Sequence, residues 1–177
     1  RLEPVPLWHG LSLPAMSSRE DILARLDALG ISYEHHTHAP VASAADRFPM
    51  GLDFGAQVCK NLLVSPRNES SFFLLMLPYD KTADLRALRD ALGTARLQFA
   101  QPGRLAQLLE QESGTVGVCG IIHDREKRIR VVFDTALRGK ERIAMHPGDN
   151  REPVILSFAD LEKYVRSCGS EPLFYDF

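Results

Sequence analysis

The sequence predicts a single domain of the α/β or α+β class, built on a mixed β-sheet with helices around it. Three observations carry this. Strand-like and helix-like stretches interleave along 177 residues, with no internal repeat and no low-complexity linker. Phe72 to Leu77 is a continuous apolar run, the pattern of a central strand covered on both faces. Elsewhere the period switches between two and 3.6 residues, as from Ile129, Val131 and Phe133 to Leu85, Leu88 and Leu92. A chain of this length can bury a sizeable core.

Composition narrows the function classes. Hydrophobic residues at 45% and charged residues at 25% are ordinary for a globular protein in water. No apolar run approaches the ~20 residues that span a bilayer, so no membrane role is expected. With 21 basic and 23 acidic residues the net charge is −2, which leaves no global field to attract nucleic acid. Any such contact must come from a local patch. The three cysteines, Cys59, Cys119 and Cys168, are odd in number and widely spaced. That speaks against a disulfide framework or a zinc site and for a reducing compartment.

Residues 1–16 form an irregular, proline-containing N-terminal extension without the apolar core of a signal peptide, and Met16 is a candidate natural start. The domain is expected over 17–177. Ser17 and Glu20 make a capping box for a first helix carrying Ile22, Leu23, Leu26 and Leu29, which Gly30 ends. Ile31 to His36 alternates like a strand. A weakly helical piece lies around Ser43 to Arg47. The strand Val58 to Val64 and the run Phe72 to Leu77 flank a turn at Pro66 to Ser70 and pair as a hairpin. Thr82 is the expected cap of the second helix and Gly93 its stop. Arg96 to Phe99 is a short strand. Pro102 suits the first turn of a third helix with Leu105, Leu108 and Leu109 inward. Gly114 to Ile122 reads as a glycine-bent strand and turn. Strands follow at Arg128 to Asp134, Ile143 to His146 and Val154 to Leu156. A last helix starts at Ser157, buries Leu161, Tyr164, Val165 and Cys168, and precedes a strand at Pro172 to Tyr175.

The chemistry concentrates in Val58 to Val64, where Lys60 and Asn61 interrupt a β-branched and apolar strand. A strand lysine is either a solvated edge device or the partner of an anion, because a buried ammonium without a partner is costly. The second unusual segment is Met145 to Asn150, containing His146, Pro147 and Asn150. His35, His36 and His38 invite a metal site, but adjacent strand residues point to opposite faces and no carboxylate or thiol completes a shell. The glycines of 114–122 match neither GxGxxG nor GxxxxGK. They are either a bent strand or backbone made available to a ligand. Arg125 to Arg142 is rich in Lys and Arg, either a solvated face or a local patch for nucleic acid.

Taken in order, several segments resemble one family. They are Lys60-Asn61-Leu62, Leu77-Pro78 with Lys81 and Asp84, and Gly93 with Arg96-Leu97. Gly114-Thr115-Val116, Gly120-Ile121-Ile122 with Asp124, and Asp134 follow. His146-Pro147 with Asn150 and the Gly169, Glu171-Pro172 ending close the set. The family is the YbaK/prolyl-tRNA-synthetase-associated domain family of trans-acting aminoacyl-tRNA deacylases, and the likeness is closest to its ProX/PrdX-type branch.

The resemblance implies a partly curled mixed sheet and hydrolysis of the ester joining a wrong amino acid to the tRNA 3′ end. The substrate it suggests is tRNA(Pro) carrying alanine or another small amino acid. It implies no cofactor and no metal, a cytoplasmic setting, and prolyl-tRNA synthetase as a further partner. Its catalytic set maps to Lys60, Gly120 and His146, and its substrate-binding set to Asn61, Cys119, Ile121, Pro147 and Asn150. In it Lys60 meets the phosphate or ribose of the terminal adenosine, and the backbone at Gly120 approaches the scissile carbonyl. His146 either transfers a proton or shapes the pocket. Cys119 stands where the family has an aromatic ring, His123-Asp124 replaces Asn-Asp, and Arg151-Glu152-Pro153 replaces a threonine-containing run. From the first change a wider amino-acid pocket is expected, with Cys119 in its wall. Two other readings remain. One is a Cys119 nucleophile served by His123 or His146. The other is a non-catalytic module that binds tRNA or a synthetase.

Overall fold

A computed structural model describes residues 18–39, 52, 54–112, 114–148 and 151–177. The expected Ser17 cap, the helical piece near Ser43 to Arg47, and Asn150 lie outside these residues.

Helix α1 (Ser18–Ala28) buries Ile22 and Leu26 and ends where Gly30 turns left-handed at φ 65°. The expected strand Ile31 to His36 shrinks to β1 (Glu34–His35), an exposed two-residue strand. β2 (Gln57–Pro66) and β3 (Phe72–Pro78) form the expected antiparallel hairpin, with Lys60 opposite Leu77 and Asn61 opposite Met76. All of β3 is buried, as its unbroken apolar run requires.

Helix α2 (Leu85–Leu92) is capped by Asp84 rather than Thr82. The Asp84 carboxylate accepts from the N–H groups of Arg86 and Ala87, two donors a helix start leaves unpaired. Gly93 closes it at φ 62°. β4 (Leu97–Phe99) is followed by α3 (Pro102–Leu109), whose leucines 105, 108 and 109 are buried. The glycine segment is not a strand. Val118–His123 is a 3-10 helix, and Val118 to Ile121 are all buried.

β5 (Ile129–Asp134), β6 (Ile143–Met145), β7 (Val154–Leu156), α4 (Phe158–Ser167) and β8 (Leu173–Tyr175) complete the described chain. α4 begins where predicted: Ser157 Oγ accepts from Asp160 N at 3.1 Å. Asp124 is buried because its carboxylate receives the N–H groups of Arg128 at 3.0 Å and Ile129 at 2.8 Å, fixing the entry to β5.

Among the described residues the eight strands form one mixed sheet, ordered β1-β7-β6-β2-β3-β5-β8, with β4 also on β2. β2 holds it together. One edge pairs with β3 from Cys59 to Val64. The other edge pairs parallel with β6 at Gln57 and Val58, and antiparallel with β4 at Val64 to Pro66. Between these contacts, from Cys59 to Leu62, this second edge faces no strand.

The two faces bury separate clusters. Cys59 and Leu63 join the larger one, with α1, α3, α4 and the 3-10 helix. Leu62 and Val64 join the smaller one, with Phe73, Leu75, Leu77 and Leu88 of α2.

Candidate active site at the split edge of β2

The unpaired stretch of β2 is where Lys60 and Asn61 fall, so the polar interruption in the sequence coincides with the break in the sheet. Strand alternation sends the two side chains to opposite faces. Lys60 shares the face of Leu62 and Val64, and Asn61 that of Cys59 and Leu63. Lys60 is half-buried, and its ammonium lies 5.8 Å from the centroid of the Tyr79 ring. Among the described residues it meets no carboxylate. Tyr79 also walls a cleft of about 800 Å3, whose other polar walls include Gln57, Asp80, Lys140 and Arg142.

Lys81, by contrast, is fully committed. Its ammonium bridges the buried Asp134 and the exposed Asp176, each at 2.9 Å, and these contacts raise its pKa, the Asp134 hydrogen bond most of all. Asp134 additionally accepts from Ala136 N at 2.7 Å. Of these two lysines, only Lys60 has an ammonium left for an anionic ligand.

On the other face the glycine segment is packed tightly. Gly120 is buried, and its N–H donates to the carbonyl of Gly117 at 3.1 Å. That donor is therefore spent inside the turn rather than offered to a scissile carbonyl. Cys119 and Ile121 are buried in the larger cluster, and Tyr164 Oη donates to the Cys119 carbonyl at 2.7 Å. Burial pushes the Cys119 thiol up to about 12, which removes the thiolate a nucleophile needs. Cys119 is thus core packing, and the wider pocket expected from it has no basis in its position. Pro147 is buried as well, and His146 is half-buried beside it. Asn61 Oδ1 is buried without a hydrogen-bond partner.

The histidine trio is occupied otherwise. His36 Nε2 lies 3.1 Å from Glu34 and its ring stacks on Phe54 at 4.2 Å, while His35 Nε2 lies 3.5 Å from Glu152. Among the described residues no three His, Cys, Asp or Glu side chains are grouped to hold a metal.

The basic segment is divided by β5. Arg125 and Arg128 sit at its start, near Glu110 and Glu126. Arg138, Lys140 and Arg142 follow its end, and of these Lys140 and Arg142 border the Tyr79 cleft. Arg142 is held by both oxygens of Glu34 and donates to the Phe54 carbonyl at 2.9 Å. Those hydrogen bonds draw the Glu34 carboxyl down to about 2. Sequence reasoning missed Tyr79 and Gln111, because neither stands out in any periodic pattern. Tyr79 became visible only as a neighbour of Lys60, and Gln111 only through the folding back of the segment that follows α3.

Comparison with known proteins bears on the family and the fold. The sequence model described as the aminoacyl-tRNA editing domain matches residues 38–164. The chain is 32% identical to the prolyl-tRNA editing protein ProX of Acetoanaerobium sticklandii, over 88% of this chain and 94% of the relative. It is 24% identical to the prolyl-tRNA synthetase associated domain-containing protein 1 of Mus musculus, over 90% and 96%. A crystal structure described as a candidate trans-editing enzyme for prolyl tRNA synthetase superimposes with a TM-score of 0.67 at 16% identity. It covers 91% of this chain and 96% of that one, a likeness of fold.

Proposed function

The chain belongs to the aminoacyl-tRNA editing domain family, and from that premise we propose that it hydrolyses mischarged aminoacyl-tRNA in trans. The substrate of this reading is tRNA(Pro) carrying alanine or another small amino acid. The observation that carries it is Lys60: an ammonium that meets no carboxylate among the described residues, on the stretch of β2 between its β6 and β4 pairings, near the Tyr79 ring that walls a cleft.

An aminoacyl ester is already activated. Its hydrolysis needs a positioned water, a proton acceptor and donors for the developing oxyanion, and a metal is not required. In this reading Lys60 holds the phosphate or ribose of the terminal adenosine and so fixes the ester by proximity. The vicinal ribose hydroxyl of the substrate helps to activate the water, and His146 shapes the amino-acid end of the pocket with Pro147 and Asn150. Among the described residues Asn61 Oδ1 is buried with no hydrogen-bond donor. The setting of this reading is the cytoplasm, with prolyl-tRNA synthetase as the source of the mischarged substrate. Among the described residues no helix is long and apolar enough to cross a membrane.

The engaged Gly120 N–H favours a second reading, a module that binds tRNA without cleaving it. A panel of mischarged tRNAs separates the two. Release of the amino acid from alanyl-tRNA(Pro), undiminished by a chelator, is the result expected of the deacylase. Binding of tRNA without release supports the module.

A further inference from the structure

Gln111 follows α3 and is 3% exposed, although glutamine is seldom fully buried. Its Oε1 accepts from the N–H of Gly117 at 2.9 Å. The same amide fills the space beside Gly120: a Cβ there would stand 2.8 Å from Gln111 Cδ and Oε1. A Cβ on Gly117 would stand 3.2 Å from the carbonyl oxygen of His146. Gln111 beyond the end of α3, the glycine segment and the residue after β6 therefore meet at Gly117. Gly117 and Gly120 lack side chains where an amide and a carbonyl take the room. The cost of this arrangement is visible, because Gln111 Nε2 is buried without an acceptor. A buried donor left unpaired destabilises, and an apolar residue of similar size would avoid it.

Resting on the deacylase reading, we propose that Gln111 is a positioning residue of that reaction. It fixes the glycine segment against the residues that lead to His146 and Pro147. It acts through Gly117 and Gly120 and touches no substrate. The amide supplies two constraints at once, a hydrogen bond that sets the height of Gly117 and a volume that sets the approach of Gly120. A hydrocarbon of the same size supplies only the second.

Gln111→Met tests this, since it keeps the volume and removes the acceptor. In single-turnover and steady-state deacylation, kcat should fall by about tenfold to a hundredfold while KM stays near wild type, as for a misplaced reacting geometry. Hydrogen exchange at the Gly117 amide should quicken in the same variant. Gln111→Glu keeps size and acceptor and should recover most of the lost kcat. If the Met variant does not fold, Gln111→Asn, which withdraws the amide by one methylene, replaces it with the same expectation. Unchanged kcat alongside faster Gly117 exchange overturns the positioning role alone, and unchanged exchange overturns the clasp itself. A wild-type protein that releases no amino acid from any aminoacyl-tRNA overturns the deacylase reading and this role with it.

Discussion

Lys60 and Lys81 flank the same strand, β3, and sit in opposite surroundings. Lys81 is locked between Asp134 and Asp176, while Lys60 lies near an aromatic ring and meets no carboxylate among the described residues. In sequence one interrupts an apolar strand and the other follows one. The difference teaches where function resides: a cation neutralised by a buried carboxylate is architecture, and a cation left without one is available to a ligand.

The sharpest test of that contrast is Lys60→Ala. It should lower kcat/KM for deacylation by about a hundredfold or more, the scale of a lost positioning interaction, with an unchanged cooperative unfolding transition. Lys60→Arg should not restore activity, because the planar guanidinium fork needs different space. Full turnover in Lys60→Ala would remove the site from the Lys60 edge altogether.

The mirror experiment is Asp134→Ala. Asp134 is wholly buried, and its loss leaves Lys81 with the exposed Asp176 alone and uncaps Ala136. Denaturant unfolding should show a loss of about 1–3 kcal/mol, the scale of buried hydrogen bonds left unmade. Residual activity per folded molecule should stay near wild type. A variant that is stable but inactive would reverse the roles of the two lysines.

Cys119→Phe examines the other face. A ring forced into the filled larger cluster should destabilise by about 1–3 kcal/mol through overpacking. The ranking of aminoacyl groups hydrolysed should not change, because Cys119 has no exposed surface. A selective loss against larger amino acids, measured over alanyl, seryl and leucyl esters, would return Cys119 to the pocket.

The smallest effect belongs to the exposed pair of Glu34 and Arg142. The Glu34 carboxyl lies near 2 instead of its ordinary 4.5, so its contribution is present above 4.5 and disappears as pH falls toward 2. The stability difference between wild type and Glu34→Gln should therefore be constant near neutrality and vanish across that acid window, as followed by thermal melts. Added salt should shrink it too, since both groups face solvent.

Much of the fold was legible in sequence because period and caps are local. The unbroken apolar run of β3, the alternation of β5 and the Ser157 cap each act within a few residues. The Thr82 cap failed on the same scale: Asp84, two residues on, reaches the free N–H groups of α2. The glycine segment misled more deeply. Its glycines left open a bent strand or backbone offered to a ligand, yet Val118–His123 winds as a 3-10 helix, and Gly117 and Gly120 are buried against the His146 carbonyl and the Gln111 amide.

Sequence alone determined the α/β class, the polar pair Lys60-Asn61 inside an apolar strand, and the family that the ordered set of segments resembles. Tertiary structure decided the rest. It placed the pair where one edge of β2 passes from β6 to β4, sent the two side chains to opposite faces, and gave Lys81 a buried carboxylate while giving Lys60, among the described residues, none. It also sealed Cys119 in the core. The physical reason is reach. Propensity and periodicity are written into neighbouring residues, whereas burial, ion pairing and the space beside a glycine depend on groups brought together from distant parts of the chain.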